Sequence, residues 1–286
     1  MIQWWQIALL TLYAGYQIMD ALHWHFNMDS AVFSGFFTGL VMGDVTTGLF
    51  IGGSMQLTIL GVGTFGGASR IDANSGALVA TAFAVSSHID PQQALAIIGV
   101  PVAALLVYTD IACRFANTFI AHMCEADVER KDWGAFSYHY WLGAVSWCLS
   151  RMVPVFLALA FGQPVVQVVS DALSGEFAWL GSSLSVAGAA LPAVGFAILL
   201  RYLPAGKHFN YLIFGFALAA LLGTLFSSIV TISGAAGVAG DFNNLSMLMV
   251  ALVGFALAFT YYKKSQAASA APALIPDMEG NDDDEL

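Results

Sequence analysis

Charged side chains are scarce in this sequence. Asp, Glu, Lys and Arg make up 10% of its 286 residues, whereas hydrophobic residues make up 58%. A soluble protein carries about 25% charged residues, so this chain has too few to cover a water-facing surface. The shortage excludes a cytosolic enzyme and a secreted domain, and it indicates an integral membrane protein.

Basic residues and cysteines are also few. Nine Lys and Arg against 19 Asp and Glu give a net charge of −10, which opposes nucleic-acid binding because phosphates require basic patches. The first basic residue is Arg70, so we expect no cleaved signal peptide, which would need a basic N-terminal region. The three cysteines form no C-x-x-C pair and therefore signal neither a zinc site nor a redox dithiol.

Long apolar stretches predict an all-α polytopic membrane protein. A helix needs about 20 mostly apolar residues to cross the roughly 30 Å hydrocarbon core, and eight segments come near that length. These segments are 4–22, 31–60, 68–87, 94–120, 140–161, 177–202, 209–232 and 245–262. The second is too long for one simple span, and the third carries Arg70, Asp72 and Asn74. We therefore expect some segments to be re-entrant or broken.

The distribution of Lys and Arg predicts the orientation of the later segments. Positively charged connections stay in the cytoplasm, and here they alternate with connections that carry no basic residue. The basic connections contain Arg130, Lys131, Lys207, Lys263 and Lys264. The alternation predicts a cytoplasmic C-terminus. We expect a membrane-embedded domain over residues 1–264 and a disordered acidic tail over 265–286, because the tail can bury little apolar surface.

Glycine and polar residues are concentrated early in the chain. Eleven of the 28 glycines lie between Gly35 and Gly76, several of them four residues apart. Polar side chains within the same apolar region include Gln56, Thr64, Asp72 and Asn74. Polar groups are costly at membrane depth, and glycine-interrupted segments that carry them form the substrate sites of transporters. The pattern favours a substrate pathway, with a purely structural hairpin as the alternative.

A second glycine-interrupted stretch runs from Gly223 to Gly240, in a position that loosely mirrors the first. Paired broken segments in the two halves of a chain are typical of inverted repeats. The likeness is one of composition, and it raises a possible inverted repeat.

Two smaller groups of polar residues each allow two interpretations. Asp20, His23, His25 and Asp29 contain metal-binding side chains, but His residues two apart point to opposite faces of a helix, which favours a polar cap at the membrane interface. Asp110 and Arg114 are four residues apart and can pair on one helix face. A structural pair is the simpler interpretation, and a gating role is the alternative.

The early glycine-rich region also carries a long motif that resembles one known family. The motif is Gly-Leu-Val-Met-Gly-Asp-Val-Thr-Thr-Gly over residues 39–48, then Gly-Gly-Ser-Met-Gln-Leu over residues 52–57, then Asp72. Downstream, Arg151, Pro154 and the segment 189–201 fit the same pattern. The sequence resembles the IIC component of the mannose/fructose/sorbose class of bacterial sugar phosphotransferase systems, over about residues 3–265.

The resemblance implies a fold and a function. Members of the family have a packing domain and a mobile core with re-entrant hairpins, and they bind and translocate a sugar across the bacterial cytoplasmic membrane. They work in a lipid bilayer as oligomers of units formed with a IID membrane subunit. The cytoplasmic IIA and IIB proteins deliver the phosphoryl group, so IIC is no enzyme on its own and needs no cofactor or metal.

The resemblance also points to particular residues. It implies that Gly39, Gly43, Gly48, Gly52 and Gly53 are structural glycines of the motif. Taken together with the polar pattern, it makes four residues the candidates for binding a sugar: Gln56, Thr64, Asp72 and Asn74. Many members have Glu where this chain has Gln56, which removes one carboxylate and leaves the identity of the sugar open. An ion-coupled secondary sugar transporter and an intramembrane hydrolase are the competing classes.

Overall fold

Every secondary-structure element in the described part of the chain is helical. The computed structural model describes residues 2–60, 62, 69, 71–204, 206, 208–235 and 245–270. The helices are α1 (Trp4–Met19), α2 (Ala31–Met42), α3 (Val45–Thr58), α4 (Ala73–Ser87), α5 (Pro91–Ala94), α6 (Val100–Arg130), α7 (Trp133–Phe161), α8 (Gln163–Ser174), α9 (Ala178–Tyr202), α10 (Phe209–Ala235) and α11 (Leu245–Ala270). Two π-helical turns, Asp20–Trp24 and Leu95–Gly99, continue α1 and join α5 to α6. The chain divides into two units, Met1–Leu203 and Pro204–Leu286.

The segment predicted to be too long for one span is a helical hairpin. Helix α2 ends at Gly43, which has φ of +90°, a conformation that glycine adopts without steric cost. Asp44 then caps α3, because its carboxylate accepts hydrogen bonds from the Thr47 amide (3.0 Å) and hydroxyl (2.6 Å). At 1.5 Å per residue the two helices are about 18 and 21 Å long. Each is therefore too short to cross the hydrocarbon core.

Glycines bring the two helices of this hairpin into backbone contact. A Cβ atom at Gly35 would lie 2.2 Å from the Gly48 carbonyl oxygen, and one at Gly48 would lie 2.3 Å from the Gly35 carbonyl oxygen. Gly39 and Gly52 meet the facing backbone in the same way, at 2.6 Å. Gly53 differs, since a Cβ there would meet nothing within 4 Å. The four-residue glycine spacing therefore serves close helix packing, to which Gly53 does not contribute.

Helix α4 forms the centre of the first unit. Nearly all of its side chains from Ala73 to Ala84 are buried, and it contacts α2, α3, α6, α7 and α8. Small residues permit this crowding: a Cβ at Gly76 would lie 2.6 Å from the Gly99 carbonyl oxygen and 2.9 Å from Ala103 Cβ. The helix has fifteen residues and is about 22 Å long. The polar residues before it thus shorten the predicted third segment to less than a full span.

Helices α1, α6, α7 and α9 of the first unit are longer than α4, whereas α5 and α8 are shorter. Helix α9 approaches its neighbours through glycines seven residues apart: a Cβ at Gly181, Gly188 or Gly195 would lie 2.7, 2.1 or 1.7 Å from a backbone carbonyl oxygen of Leu173, Gln92 or Leu57. The stretch Gln163–Ser174, which the sequence left as a connection, is the separate helix α8. It has only twelve residues, and polar residues interrupt its apolar ones, so its sequence does not indicate a membrane span.

Four helices in the described part of the chain are long and apolar enough to cross a membrane. They are Pro91–Arg130 (α5, the π-helical turn and α6 taken together), Trp133–Phe161, Ala178–Tyr202 and Phe209–Ser233. These match four of the eight predicted segments and confirm a polytopic helical membrane protein, whereas the count of eight stays a prediction.

The helices that the structure describes in the second unit are α10 and α11. Helix α10 continues without a break through Gly223, and the rest of the predicted glycine-interrupted stretch, residues 236–240, lies outside the described residues. Helix α11 continues past the predicted domain boundary at residue 264 to Ala270. The predicted disordered tail lies, from residue 271, outside the described part.

Candidate functional site

The start of the central helix α4 is fixed by Asp72, the residue just before the helix. Asp72 is buried and caps α4, since its Oδ1 accepts a hydrogen bond from the Ser75 amide at 3.2 Å. The Asp72 amide in turn donates to the Ala103 carbonyl of α6 at 3.2 Å. These bonds hold a carboxylate inside the first unit, where α4 and the hairpin of α2 and α3 meet.

A cavity of about 190 Å³ opens at this junction. It is smaller than the roughly 300–1,000 Å³ of pockets for drug-sized ligands, so it suits a molecule of about one sugar ring. Its wall contains three amide side chains, two carboxylates and a guanidinium among apolar groups. The lining residues are Gln17, Ile18, Ala21, Asp29, Ser30, Gln56, Ile59, Ile71, Asp72, Ala73, Asn74 and Arg151.

Three of the four predicted sugar-binding residues line this one cavity. Gln56 comes from α3, and its Oε1 accepts a hydrogen bond from the Ala31 amide at the start of α2, at 2.9 Å. Asn74 comes from α4, and its Nδ2 donates to the Asp29 carbonyl. The structure therefore brings Gln56, Asp72 and Asn74 together, as the motif led us to expect. The fourth, Thr64, lies outside the described residues.

Arg151 completes the cavity wall, and the sequence did not predict that role. This buried residue reaches in from α7, with Nε 2.9 Å from Asp72 Oδ2 and Nη2 2.9 Å from Asp110 Oδ1. One arginine thus neutralises two buried carboxylates on two other helices. A lone arginine within an apolar span was the available signal, but its partners depend on how α4, α6 and α7 pack.

The predicted pair of Asp110 and Arg114 is confirmed and extends this network. Arg114 Nε lies 2.8 Å from Asp110 Oδ2, and its guanidinium lies 5.4 Å from the centre of the Trp147 ring, within cation–π range. Negative and positive charges therefore alternate from Asp72 at the cavity, through Arg151 and Asp110, to Arg114, which is partly exposed on α6. Buried charges persist only when they are paired in this way.

Gln17 is the second cavity residue that the sequence did not single out. It lies near the end of α1 and is 2% exposed. Its Nε2 donates to the Ser75 hydroxyl at 2.8 Å. One glutamine in an apolar helix is a weak signal, because only tertiary packing shows that α1 ends beside the start of α4.

The group of Asp20, His23, His25 and Asp29 forms part of a turn after α1 and not of the cavity wall, apart from Asp29. Asp20 is fully buried, and its two carboxylate oxygens accept hydrogen bonds from the amides of Phe26 (2.7 Å) and Met28 (2.8 Å). Asp20 therefore organises the turn after α1, as expected of a polar cap. Among the residues the structure describes, no three His, Cys, Asp or Glu side chains are placed to hold a metal ion.

A larger cavity in the second unit has the wrong chemistry for a sugar. It measures about 320 Å³ between α10 and α11, and its wall is apolar except at one end, where the rings of His208, Tyr211 and Tyr261 contact one another. Sugar hydroxyls need hydrogen-bond partners when they leave water. The polar cavity beside α4 is therefore the candidate site.

Short paired helices that enclose a polar cavity, within a bundle of membrane-spanning helices, are characteristic of membrane transport proteins. Comparison with known proteins agrees and is more specific. The model of the family "PTS system sorbose-specific IIC component" matches residues 4–260. The chain belongs to this family of membrane components of sugar phosphotransferase systems.

Several curated relatives carry related names. N-acetylgalactosamine permease IIC component 1 of Escherichia coli is 33% identical over 181 residues, which are 63% of this chain and 66% of that protein. The mannose-specific EIIC component of the same organism is 23% identical over 282 residues, covering 97% of this chain and 96% of the relative. A sorbose-specific EIIC component of Klebsiella pneumoniae is 25% identical over 254 residues, 86% of this chain and 85% of the relative.

Two solved structures share the fold. One, described as the structure of a membrane protein, has a TM-score of 0.71 and 21% identity, and covers 92% of this chain and 97% of its own. The other is a chain of the mannose transporter ManYZ in complex with a microcin, with a TM-score of 0.54 and 22% identity over 85% of this chain and 99% of its own.

Proposed function

We propose that this chain is the sugar-binding and translocating subunit, enzyme IIC, of a phosphoenolpyruvate-dependent sugar phosphotransferase system. The observation that carries the proposal is the cavity beside α4, where Gln56, Asp72 and Asn74 meet. Amide and carboxylate groups can donate to and accept from many hydroxyls in a small space. The names of the relatives make mannose, sorbose and N-acetylgalactosamine the first sugars to test.

The proposal includes partners that the family requires. The chain works with a IID membrane subunit, and cytoplasmic IIA and IIB proteins supply the phosphoryl group. It lies in the bacterial cytoplasmic membrane with its C-terminus in the cytoplasm, in oligomers of IIC–IID units. Its exposed apolar side chains, which extend along α6, α7, α9 and α10, are suited to lipid and to these membrane partners. We also propose that the two glycine-interrupted regions, one in each half of the chain, are related as an inverted repeat.

The charge pairing argues against the ion-coupled alternative. A coupling carboxylate must exchange a proton or cation during each cycle. Asp72, the buried carboxylate in the cavity wall, lies against Arg151, which also holds the buried carboxylate of Asp110. An arginine so placed competes with any coupling ion. The comparisons likewise lend that alternative no support.

Uptake by membrane vesicles tests the function. Vesicles that contain this chain with its IID partner, loaded with IIB and a phosphoryl donor, should accumulate sugar phosphate from external radiolabelled sugar. Omitting IIB or IID should abolish uptake, whereas an ionophore that collapses ion gradients should leave the initial rate largely intact. Free sugar concentrated in vesicles that contain this chain alone would contradict the proposal and favour ion coupling.

A further inference from the structure

Gln17 has a buried hydrogen-bond acceptor without a partner. Its Nε2 is bonded to the Ser75 hydroxyl, but its Oε1 has no hydrogen-bond partner among the residues that the structure describes. Buried polar atoms in folded proteins nearly always have one. Because Gln17 also lines the cavity beside α4, the missing partner can come from a molecule bound there.

Among the neutral amides of the cavity, Gln17 is the one whose buried oxygen has no hydrogen-bond partner in the described part of the chain. Gln56 Oε1 is occupied by the Ala31 amide. Asp72 Oδ1 accepts a hydrogen bond from the Ser75 amide, and Asp72 Oδ2, which has no hydrogen-bond partner in the described part of the chain, is balanced by the charge of Arg151, whose Nε lies 2.9 Å away. Gln17 is therefore held at one end of its amide and open at the other. Its anchor is firm, since Ser75 lies in the first turn of α4 and is fully buried.

From this geometry we infer that Gln17 determines which sugar the cavity accepts. Its Oε1 accepts a hydrogen bond from one hydroxyl of the bound sugar, while Ser75 keeps the amide oriented. The inference rests on the proposed function, because it assigns a residue within the same cavity. A site built to bond a hydroxyl rejects an analogue that lacks it, since a buried group is then left unpaired.

The chain supplies a matched control on the same helix. Thr11 is 9% exposed, and its hydroxyl also lacks a hydrogen-bond partner in the described part of the chain. Thr11 does not line the cavity. Replacing Thr11 with Val removes a buried polar atom from α1 without touching the site, so it reports the purely structural cost of such a change.

The experiment measures sugar affinity of the purified IIC–IID complex by calorimetry. The probes are mannose, sorbose and N-acetylgalactosamine, followed by the set of monodeoxy derivatives of the sugar that binds. Gln17→Met keeps the approximate size of the side chain and removes both polar ends. We expect it to lower the affinity for the parent sugar about tenfold or more. For one deoxy derivative, the affinities of Gln17→Met and the unchanged protein should agree within about twofold. Thr11→Val should change neither the affinity for the parent sugar nor the affinity for that derivative.

Several outcomes would overturn the inference. An equal loss for the parent and every derivative would mean that Gln17 is only structural, and an unchanged affinity would mean that it makes no contact. If Gln17→Met does not accumulate in membranes, Gln17→Glu replaces it. A carboxylate also accepts from the hydroxyl, so this variant must still discriminate against the same derivative, and failure to do so refutes the assignment. Absence of binding by the unchanged complex would instead contradict the proposed function itself.

Discussion

Arg151 on α7 and Asp72 at the start of α4 form a buried ion pair, with Nε 2.9 Å from Oδ2. Both side chains line the candidate sugar site. The same guanidinium holds Asp110 on α6. This single side chain therefore connects the wall of the cavity to the pair of long helices beside it, and its loss would affect the fold and the site together.

Replacing Arg151 should destabilise the protein strongly. Arg151→Gln leaves the buried carboxylate of Asp72 without its counter-charge and leaves Asp110 paired with Arg114 alone. Breaking a buried ion pair by removing one partner costs about 3–5 kcal/mol. Arg151→Lys should recover only part of the loss, because an ammonium cannot reproduce the planar fork that reaches both acids. The measurement is the unfolding midpoint of the purified protein in detergent. Arg130→Gln, at the exposed end of α6, is the control, and equal midpoints for Arg130→Gln and Arg151→Gln would refute this prediction.

Much of the site was predictable because its residues are close in sequence. Gln56, Asp72 and Asn74 belong to a single polar, glycine-rich region, and they lie near the end of α3 and at the start of α4, two consecutive helices that contact each other. The places of Arg151 and Gln17 in the cavity wall could not be predicted, although Arg151 fits the family pattern. Both residues come from helices far away in the chain, and each lies in apolar sequence whose facing direction is decided by packing. Helix α8 was missed for a related reason, since a short helix on a membrane protein carries too little hydrophobicity to be recognised as a span.

The hairpin glycines should differ sharply in their tolerance of a methyl group. Gly48→Ala places a Cβ 2.3 Å from the Gly35 carbonyl oxygen, so the two helices must separate, and we expect a loss of about 1–3 kcal/mol as in other overpacked cores. Gly53→Ala on the same helix meets nothing within 4 Å and should be neutral or stabilise by about 0.4–1 kcal/mol. Thermal unfolding of the two variants side by side tests this, and similar midpoints would show that the hairpin is not close-packed.

Neutralising Asp72 should weaken sugar binding while the fold survives. Asparagine is as good a helix cap as aspartate, so Asp72→Asn keeps the start of α4 but loses the charge. A hydrogen bond to a charged group is worth about 1.5–3 kcal/mol, which is roughly ten- to hundredfold in affinity. Gln56→Ala should cause a smaller loss. Sugar affinity is measured on variants that reach the membrane at normal levels.

The control for Asp72→Asn is Asp90→Asn. Asp90 caps α5 in the same way, with its Oδ2 3.0 Å from the Gln93 amide, and it does not line the cavity. The Asp90→Asn variant should bind sugar with normal affinity. Normal affinity in both Asp72→Asn and Gln56→Ala would remove these residues from the site.

The C-terminal tail should be inaccessible from outside the cell. A single cysteine is placed at Asp283, in a background where Cys113, Cys124 and Cys148 are replaced by serine. An impermeant thiol reagent applied to intact cells should leave it unlabelled until the membrane is opened. A cysteine at Gly175, in the link between α8 and α9 that the charge pattern places outside, should be labelled at once. Labelling at Asp283 together with protection at Gly175 in intact cells would reverse the predicted orientation.

This chain should never carry the phosphoryl group itself. A phosphoryl carrier needs a nucleophile, usually His or Cys, aligned with the donor protein. Four such side chains are predicted on the cytoplasmic side: His122, Cys124, His139 and His208. None lines the cavity that holds Gln56 and Asp72.

The three histidines each have a neighbour that accounts for them without catalysis. The His122 ring lies 3.1 Å from Glu125 on an exposed helical turn, and His139 pairs with the buried carboxylate of Asp127 across the turn between α6 and α7. His208 packs against the rings of Tyr211 and Tyr261. Each contact has a structural role, so the transfer should pass from IIB directly to the sugar.

The test replaces all four candidates together, with Gln for each His and Ser for Cys124. Vesicles with this variant, its IID partner and phosphorylated IIB should still form sugar phosphate at a substantial rate, after correction for the amount of folded protein. Because His139 pairs with Asp127, a variant that keeps His139 and changes the other three controls for damage to the turn. Labelled phosphate from IIB should never remain on this chain in denaturing gels. Stable labelling of the unchanged chain, lost in the fourfold variant together with sugar phosphorylation, would show that this subunit is a phosphoryl carrier after all.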